Sequence, residues 1–231
     1  MEIAMKNCMS CERSASCILG RLPETELREI SKRVKSLYYV RGQVIWQEGV
    51  YRPGCFILCQ GRALLTVRKS GEAKRRILKF LQTGDLIPCV NASHNGERIY
   101  NDFVVQVEAE TPALVYYLPA SSFRSFVMRH PSVATKVIER LSVVARELLH
   151  EIWISSYCDV RARVARVLME LQGAAQFERQ PLLRQVIADL VGVNRKVTNK
   201  ALYNLMEEKI IAIQDHKIEV LDERRLRELQ V

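Results

Sequence analysis

The feature that most constrains this chain is a change of hydrophobic period near residue 119. From Tyr38 to about Leu118, short β-branched and aromatic runs recur: Val44-Ile45-Trp46, Cys55 to Leu58, Ala63 to Val67, Ile77 to Leu81, Phe103 to Val107 and Leu114 to Leu118. Gly42, Gly49, Gly54, Gly61, Gly71, Gly84 and Gly96 punctuate them. Many short strands with regular turn signals predict an antiparallel barrel or sandwich. Past Pro119 the apolar residues fall three or four apart, the spacing of one helix face. The text predicts a short helix over Ser121 to Arg129, a break at Pro131 and a long helix from about Ser132 to Ser156.

Within the long helix Val137, Leu141, Val144, Leu148 and Ile152 make one apolar stripe. A stripe of that kind is either a packing face or a dimer seam of the coiled-coil type, and the length favours the seam, because one short barrel cannot cover so long a helix. Asp159 is suited to cap a further helix, and the remaining residues predict a compact helical unit ending in two short strands, Ile210 to Gln214 and Lys217 to Leu221. The chain of 231 residues thus divides near residue 158 into two modules.

Charge gives the second module a partner. Thirty-five Lys and Arg oppose twenty-six Asp and Glu, a net charge of +9 that favours polyanions. Part of that excess is local. From Arg184 to Leu205 the spacing is that of a helix-turn-helix: Ala188 lets two helices cross closely, Gly192 supplies the turn, and Val193, Val197, Ala201 and Leu202 are expected on the buried face of the second helix. Its other face carries Arg195, Lys196, Asn199 and Lys200, with Asn194 at its start and no acid between Val193 and Leu205. Such a face suits phosphates and base edges in a major groove of double-stranded DNA.

Taken together, Gln47-Glu48-Gly49, Gln60-Gly61, Gly84-Asp85-Leu86-Ile87, the long helix and Ile187-Ala188-Asp189-Leu190-Val191-Gly192-Val193 resemble the CRP/FNR family of bacterial transcription regulators over nearly the whole chain. The resemblance implies an α+β architecture: an amino-terminal arm over 1–20, a cyclic-nucleotide-binding-type β-roll over 21–130, a dimerisation helix over 131–157 and a winged helix-turn-helix over 158–231. It also implies a homodimer that reads two half-sites of a palindromic operator and works with RNA polymerase. The family commonly reads bases with an arginine, a glutamate and an arginine. Here Arg195, Lys196 and Lys200 stand at those positions, so the operator is expected to differ.

The sensor is read from its cysteines. Cys8-x2-Cys11-x5-Cys17 places three thiols where one metal centre can gather them, in the manner of zinc or iron-sulfur sites. The spacing resembles the ligand run of the oxygen-sensing FNR branch, which implies a [4Fe-4S] cluster with a distant fourth cysteine. Tyr116 occupies the position of that cysteine, so Cys89 is the leading substitute, with Cys55, Cys59, Cys158 or a non-cysteine ligand as the others. Cys55 and Cys59 also read as small core residues and Cys158 as a hinge thiol. Cyclic-nucleotide binding is disfavoured, because Cys89 stands where the family's ribose-binding glutamate lies and Arg98 lacks its hydroxyl neighbour.

The expected function is therefore a homodimeric DNA-binding regulator that senses redox state or a gas, oxygen or nitric oxide, through an iron-sulfur cluster. The same regulator sensing a small molecule, zinc or thiol oxidation is the first alternative; a binding module acting through protein partners is the second. No apolar run reaches the roughly 18 residues of a membrane span, and no signal core opens the chain, so a cytoplasmic protein is expected. No catalytic motif is present, so no enzyme is expected. His94, His130, His150 and His216 read as surface or capping residues, and Trp46 and Trp153 as packing residues.

Overall fold

In the computed structural model, residues 17–20, 22–50, 53–72, 74–87, 102–172, 184–214 and 217–230 are described. The β-rich text forms two four-stranded antiparallel sheets. β1 (Lys35–Tyr39), β8 (Ala113–Pro119), β3 (Gly54–Gln60) and β6 (Leu86–Ile87) follow one another in the first; β2 (Val44–Gln47), β7 (Phe103–Ala109), β4 (Ala63–Lys69) and β5 (Arg75–Leu81) in the second.

The chain crosses between sheets at two corners that support each other. At the first, Gly61 adopts φ +86°, and a Cβ there would lie 2.3 Å from the Pro112 carbonyl of the second corner. Arg62 then closes the pair, donating to Glu110 at 2.8 Å, while its backbone N–H donates to Thr111 Oγ1 at 2.9 Å. Glycine is required here both for the left-handed backbone and for the close approach.

The first sheet is covered on both faces, which explains why β3 and β8 read as continuous apolar runs rather than alternating ones. Phe56, Leu58 and Val115 are fully buried. Cys55, Ile57, Leu114, Tyr116 and Leu118 share a second cluster with Leu27 and Ile30 of α1 (Glu24–Ser31), Phe126 of α2 (Ala120–Arg129), Val133 of α3 (Pro131–Tyr157), and Ile18 and Leu19 of the arm. The gap remaining there is about 10 Å³, room for no more than a single water.

His130 stands at the break between α2 and α3, and Pro131 opens α3, where a missing N–H costs nothing. The His130 side chain is only 16% exposed. Its ring lies tilted against Phe126, centroids 4.5 Å apart, and it sets Nδ1 3.2 Å from Glu26 and Nε2 3.4 Å from Glu29. It is thus a partly buried tie between α1 and the break, and it caps α2, its backbone N–H donating to the Phe126 carbonyl at 3.0 Å, one of the two roles its sequence context suggests. Asp85, also buried, accepts from the Gln82 N–H at 2.9 Å and from Arg140 of α3, tying the Gly84-Asp85 turn to the long helix.

By packing, the chain divides into two units: one of Met1–Ser70 with Lys79–Ala145, the other of Gly71–Leu78 with Arg146–Val231. α3 runs through the division. The second unit holds the end of α3, α4 (Val160–Gln172), α5 (Arg184–Val191), α6 (Arg195–Glu207), the hairpin of β9 (Ile211–Gln214) and β10 (Lys217–Val220), and α7 (Glu223–Glu228). Its core gathers Val164, Leu168, Ile187, Val191, Leu202, Leu205, Ile210 and Leu226, all 3% exposed or less. Asp159 starts α4 as the sequence suggests, accepting from the Ala162 N–H at 2.7 Å.

Of the five stripe residues on α3, Leu141, Leu148 and Ile152 are exposed. Val133 is fully buried and Val137 packs on the same cluster within the first unit, and Val144 is half-buried. The exposed residues are Ile138, Leu141, Leu148, Leu149 and Ile152. With Ala145 they give the sequence 138, 141, 145, 148, 152, a three-four alternation that matches the a and d positions of a heptad. Trp153, read as a packing residue, is 46% exposed and stacks on His150 at 6.0 Å.

Candidate nucleic-acid interface

The helix-turn-helix is set by its turn. Gly192 takes φ +79°, and its N–H donates to the Ala188 carbonyl at 2.9 Å, ending α5. Ala188, 1% exposed, provides the close crossing that its small side chain suggests. Asn194 then caps α6: its side-chain oxygen accepts from the Val197 N–H at 2.9 Å, so that oxygen serves the helix start rather than a base.

The buried face of α6 is Thr198, Ala201, Leu202 and Leu205. Val197, expected in the core, is 39% exposed, while Thr198 is fully buried with its hydroxyl donating to the Asn194 carbonyl at 3.2 Å. That bond removes the cost of burying a hydroxyl and lets threonine take the inward position.

Arg195, Lys196, Val197, Asn199, Lys200, Tyr203 and Asn204 line an open concavity of about 910 Å³. The sequence singled out its cations but not Tyr203, whose spacing from Lys200 marks it as a neighbour on the same face. Arg184, at the start of α5, lies over the Tyr203 ring at 5.5 Å and donates to its hydroxyl at 3.3 Å. Asn199 is half-buried, and its side-chain oxygen is buried with no hydrogen-bond partner among the described residues. No carboxylate among those residues pairs with Arg195, Lys196 or Lys200.

Several arginines elsewhere in this unit are paired with carboxylates. Arg161 meets Glu208 at 2.6 Å, and Arg166 meets Glu151 at 2.6 Å and Glu170 at 3.0 Å. Partial burial pushes the Glu170 carboxyl up from its ordinary value; Arg166 opposes the shift and Glu151 adds to it.

Of the cysteines, Cys17 is half-buried and packs with Cys59 against the cluster that contains Cys55. Cys158 is half-buried. Cys8, Cys11 and Cys89 lie outside the described residues, as do His94 and His216. Among the described residues no three His, Cys, Asp or Glu side chains gather as a metal site, and no helix is long and apolar enough to cross a membrane.

A two-sheet roll, a long helix and a winged helix-turn-helix with an open basic face together define a sensor-linked, DNA-binding class of protein. Comparison with known proteins narrows the class. Residues 36–130 match the cyclic nucleotide-binding domain and residues 162–229 the Crp-like helix-turn-helix domain. The chain is 21% identical over 204 residues to the CRP-like cAMP-activated global transcriptional regulator of Mycobacterium tuberculosis, covering 85% of this chain and 88% of that one. It is 24% identical over 195 residues to the nitrogen fixation regulation protein FixK of Rhizobium meliloti, covering 83% and 85%.

A crp/fnr-family regulator from Eubacterium rectale superposes with a TM-score of 0.75 at 21% identity, over 90% of this chain and 95% of its own. The c-di-GMP-responsive regulator CLP of Xanthomonas campestris superposes with a TM-score of 0.69 at 14% identity, over 86% and 99%. With the two domain matches together covering most of its length, the chain belongs to the CRP/FNR family of transcription regulators.

Proposed function

We propose that this protein is a homodimeric, sequence-specific regulator that reads a palindromic operator with Arg195, Lys196, Asn199 and Lys200 and senses redox state or a gas through an iron-sulfur cluster held by Cys8, Cys11, Cys17 and Cys89. The open, acid-free face of α6 carries the DNA part of this reading. Arg195 and Lys196 begin the helix, where side chains reach base edges; Lys200 and Tyr203 lie one and two turns further along. Exposed Ile138, Leu141, Leu148 and Ile152 support a second copy of α3 as the dimer partner. A cytoplasmic site of action, beside RNA polymerase, accompanies that role.

The donor chemistry fits the cluster. Cys17 leads into buried Ile18 and Leu19 and rests on an apolar wall, surroundings in which thiolate ligands are shielded from water. When bound, the cluster supplies a centre that responds to oxidants or nitric oxide. This chain's residues supply the path from it. Lys136 of α3 donates to the Gly20 carbonyl, and Ile18, Leu19 and Val133 share one cluster, so a displacement of Cys17 bears directly on the start of α3.

A second reading, a cyclic nucleotide or other small molecule in the roll, is favoured by the match of residues 36–130 and by the nucleotide-responsive relatives. Iron and acid-labile sulfide measured on anaerobically purified protein separate the two. The cluster reading expects both, with Cys89→Ser losing them. Colourless, iron-free protein whose operator binding ignores oxygen but answers to a cyclic nucleotide overturns it. For the DNA reading, operator binding is expected to weaken steeply with salt as condensed counterions are released.

A further inference from the structure

We infer that Arg75 and Arg76 are positioning residues for DNA reading: from the tip of the β4–β5 hairpin they fix the helix-turn-helix against the end of α3 without touching DNA. The inference rests on the DNA-binding reading above. The hairpin tip, Gly71–Leu78, packs as part of the second unit although strands on both sides of it belong to the roll.

Two ion pairs hold the tip there. Arg75 Nε lies 3.3 Å from Asp189 of α5, whose side chain is 9% exposed. The other Asp189 oxygen accepts from Gln185 at 2.7 Å. Arg76 donates to Glu151 at 2.8 Å, and the second Glu151 oxygen accepts from Arg166 of α4 at 2.6 Å. The Arg76 stem also lies against the helix-turn-helix turn, since a Cβ at Gly192 would be 2.8 Å from its Cδ.

The physical consequence follows from burial. A carboxylate that is largely out of water needs its cationic partner, and removing that partner leaves an uncompensated charge. Asp189 and Glu151 are the sites of attachment, one on α5 and one on α3, so the two arginines of one hairpin span the joint between those helices. Neither arginine belongs to the concavity on α6. They therefore act on where that face points. A dimer that reads half-sites about 34 Å apart depends on that direction in both copies, whereas one module on one half-site does not.

The test uses the full chain and three duplexes: a palindrome selected from a randomised pool, its single half-site, and a random sequence at the same salt. The Arg75→Ala/Arg76→Ala protein is expected to lose about tenfold on the palindrome, a usual size for coupling between sites, and to bind the other two duplexes within about twofold of wild type. Its preference for one half-site spacing is expected to flatten. Arg75→Asp is expected to lose palindrome affinity, and Asp189→Arg added to it to restore most of the loss.

Unchanged palindrome affinity and spacing preference overturn the inference. So does an equal loss on all three duplexes, which makes the arginines phosphate contacts. Hydrogen exchange of α5 in the free protein supplies a readout that needs no DNA: protection is expected to fall in the double variant, and unaltered protection sinks the tie itself. Wild-type protein that binds no duplex sinks the DNA reading instead.

Discussion

Two groups of cations in the second unit differ in one respect, the presence of a carboxylate. On α4, α7 and the hairpin tip, arginines meet acids: Arg161 with Glu208, Arg166 with Glu151, Arg224 with Glu228, Arg227 with Glu223, Arg76 with Glu151. On α6, Arg195, Lys196 and Lys200 face an open concavity with no such partner among the described residues. A paired arginine contributes to the fold and is nearly neutral in the far field. An unpaired one carries its full charge to an incoming phosphate. The net charge of +9 therefore understates how sharply the positive potential is focused, because most of the other cations in this unit are already compensated.

The sharpest way to break this contrast is Arg195→Ala/Lys196→Ala/Lys200→Ala. Operator affinity is expected to fall by several kcal/mol, at about 1 to 3 kcal/mol per base-reading contact, with Tm unmoved. A Tm that drops with affinity would place these residues in the fold instead. Glu151→Gln tests the other side, leaving Arg76 and Arg166 without their shared carboxylate. Chemical denaturation is expected to show a loss of about 1 to 3 kcal/mol, while affinity for random DNA is kept or raised.

Asn194→Ala sharpens the division within α6. Losing a helix cap costs about 1 kcal/mol of stability, and any fall in operator affinity beyond that shared by half-site and random duplexes would show a base contact as well. The smallest effect is expected for Arg227→Ala, whose exposed partner Glu223 is four residues away on one helix. Stability should change by about 0.3 to 0.5 kcal/mol and operator binding not at all.

What the sequence made legible follows from how local each signal is. Gly61, Gly192 and Asp159 each have a role fixed by backbone geometry or by a neighbour within a few residues, and each stands where the pattern put it. Val197, expected on the buried face, is exposed and Thr198 lies inward instead, because hydropathy does not register that Thr198 can spend its hydroxyl on the Asn194 carbonyl. On α3 the helical period alone does not separate the two faces. Val133 and Val137 belong to the roll's cluster while Ile138 and Leu141 face outward, and both sets satisfy a helical period.

The hairpin tip was hidden for a different reason. Arg75 and Asp189 lie 114 residues apart, and no local spacing links them. For the cysteines, three spaced thiols suggest a centre, but only Cys17 of that set falls in a described part of the chain, where it rests on the apolar wall.

The interleaving on α3 has a mechanical meaning. Val137 and Ile138 are consecutive, so their side chains point about 100° apart around one rigid cylinder. The inward set is gripped by the roll and the outward set is exposed. A cylinder held this way cannot turn on one side alone: any rolling of Val133 and Val137 across their neighbours rotates Ile138, Leu141 and Leu148 by the same angle. In the dimer proposed above, such a helix would work as a camshaft, converting a small slip inside one roll into a change in which residues meet along the axis between two chains.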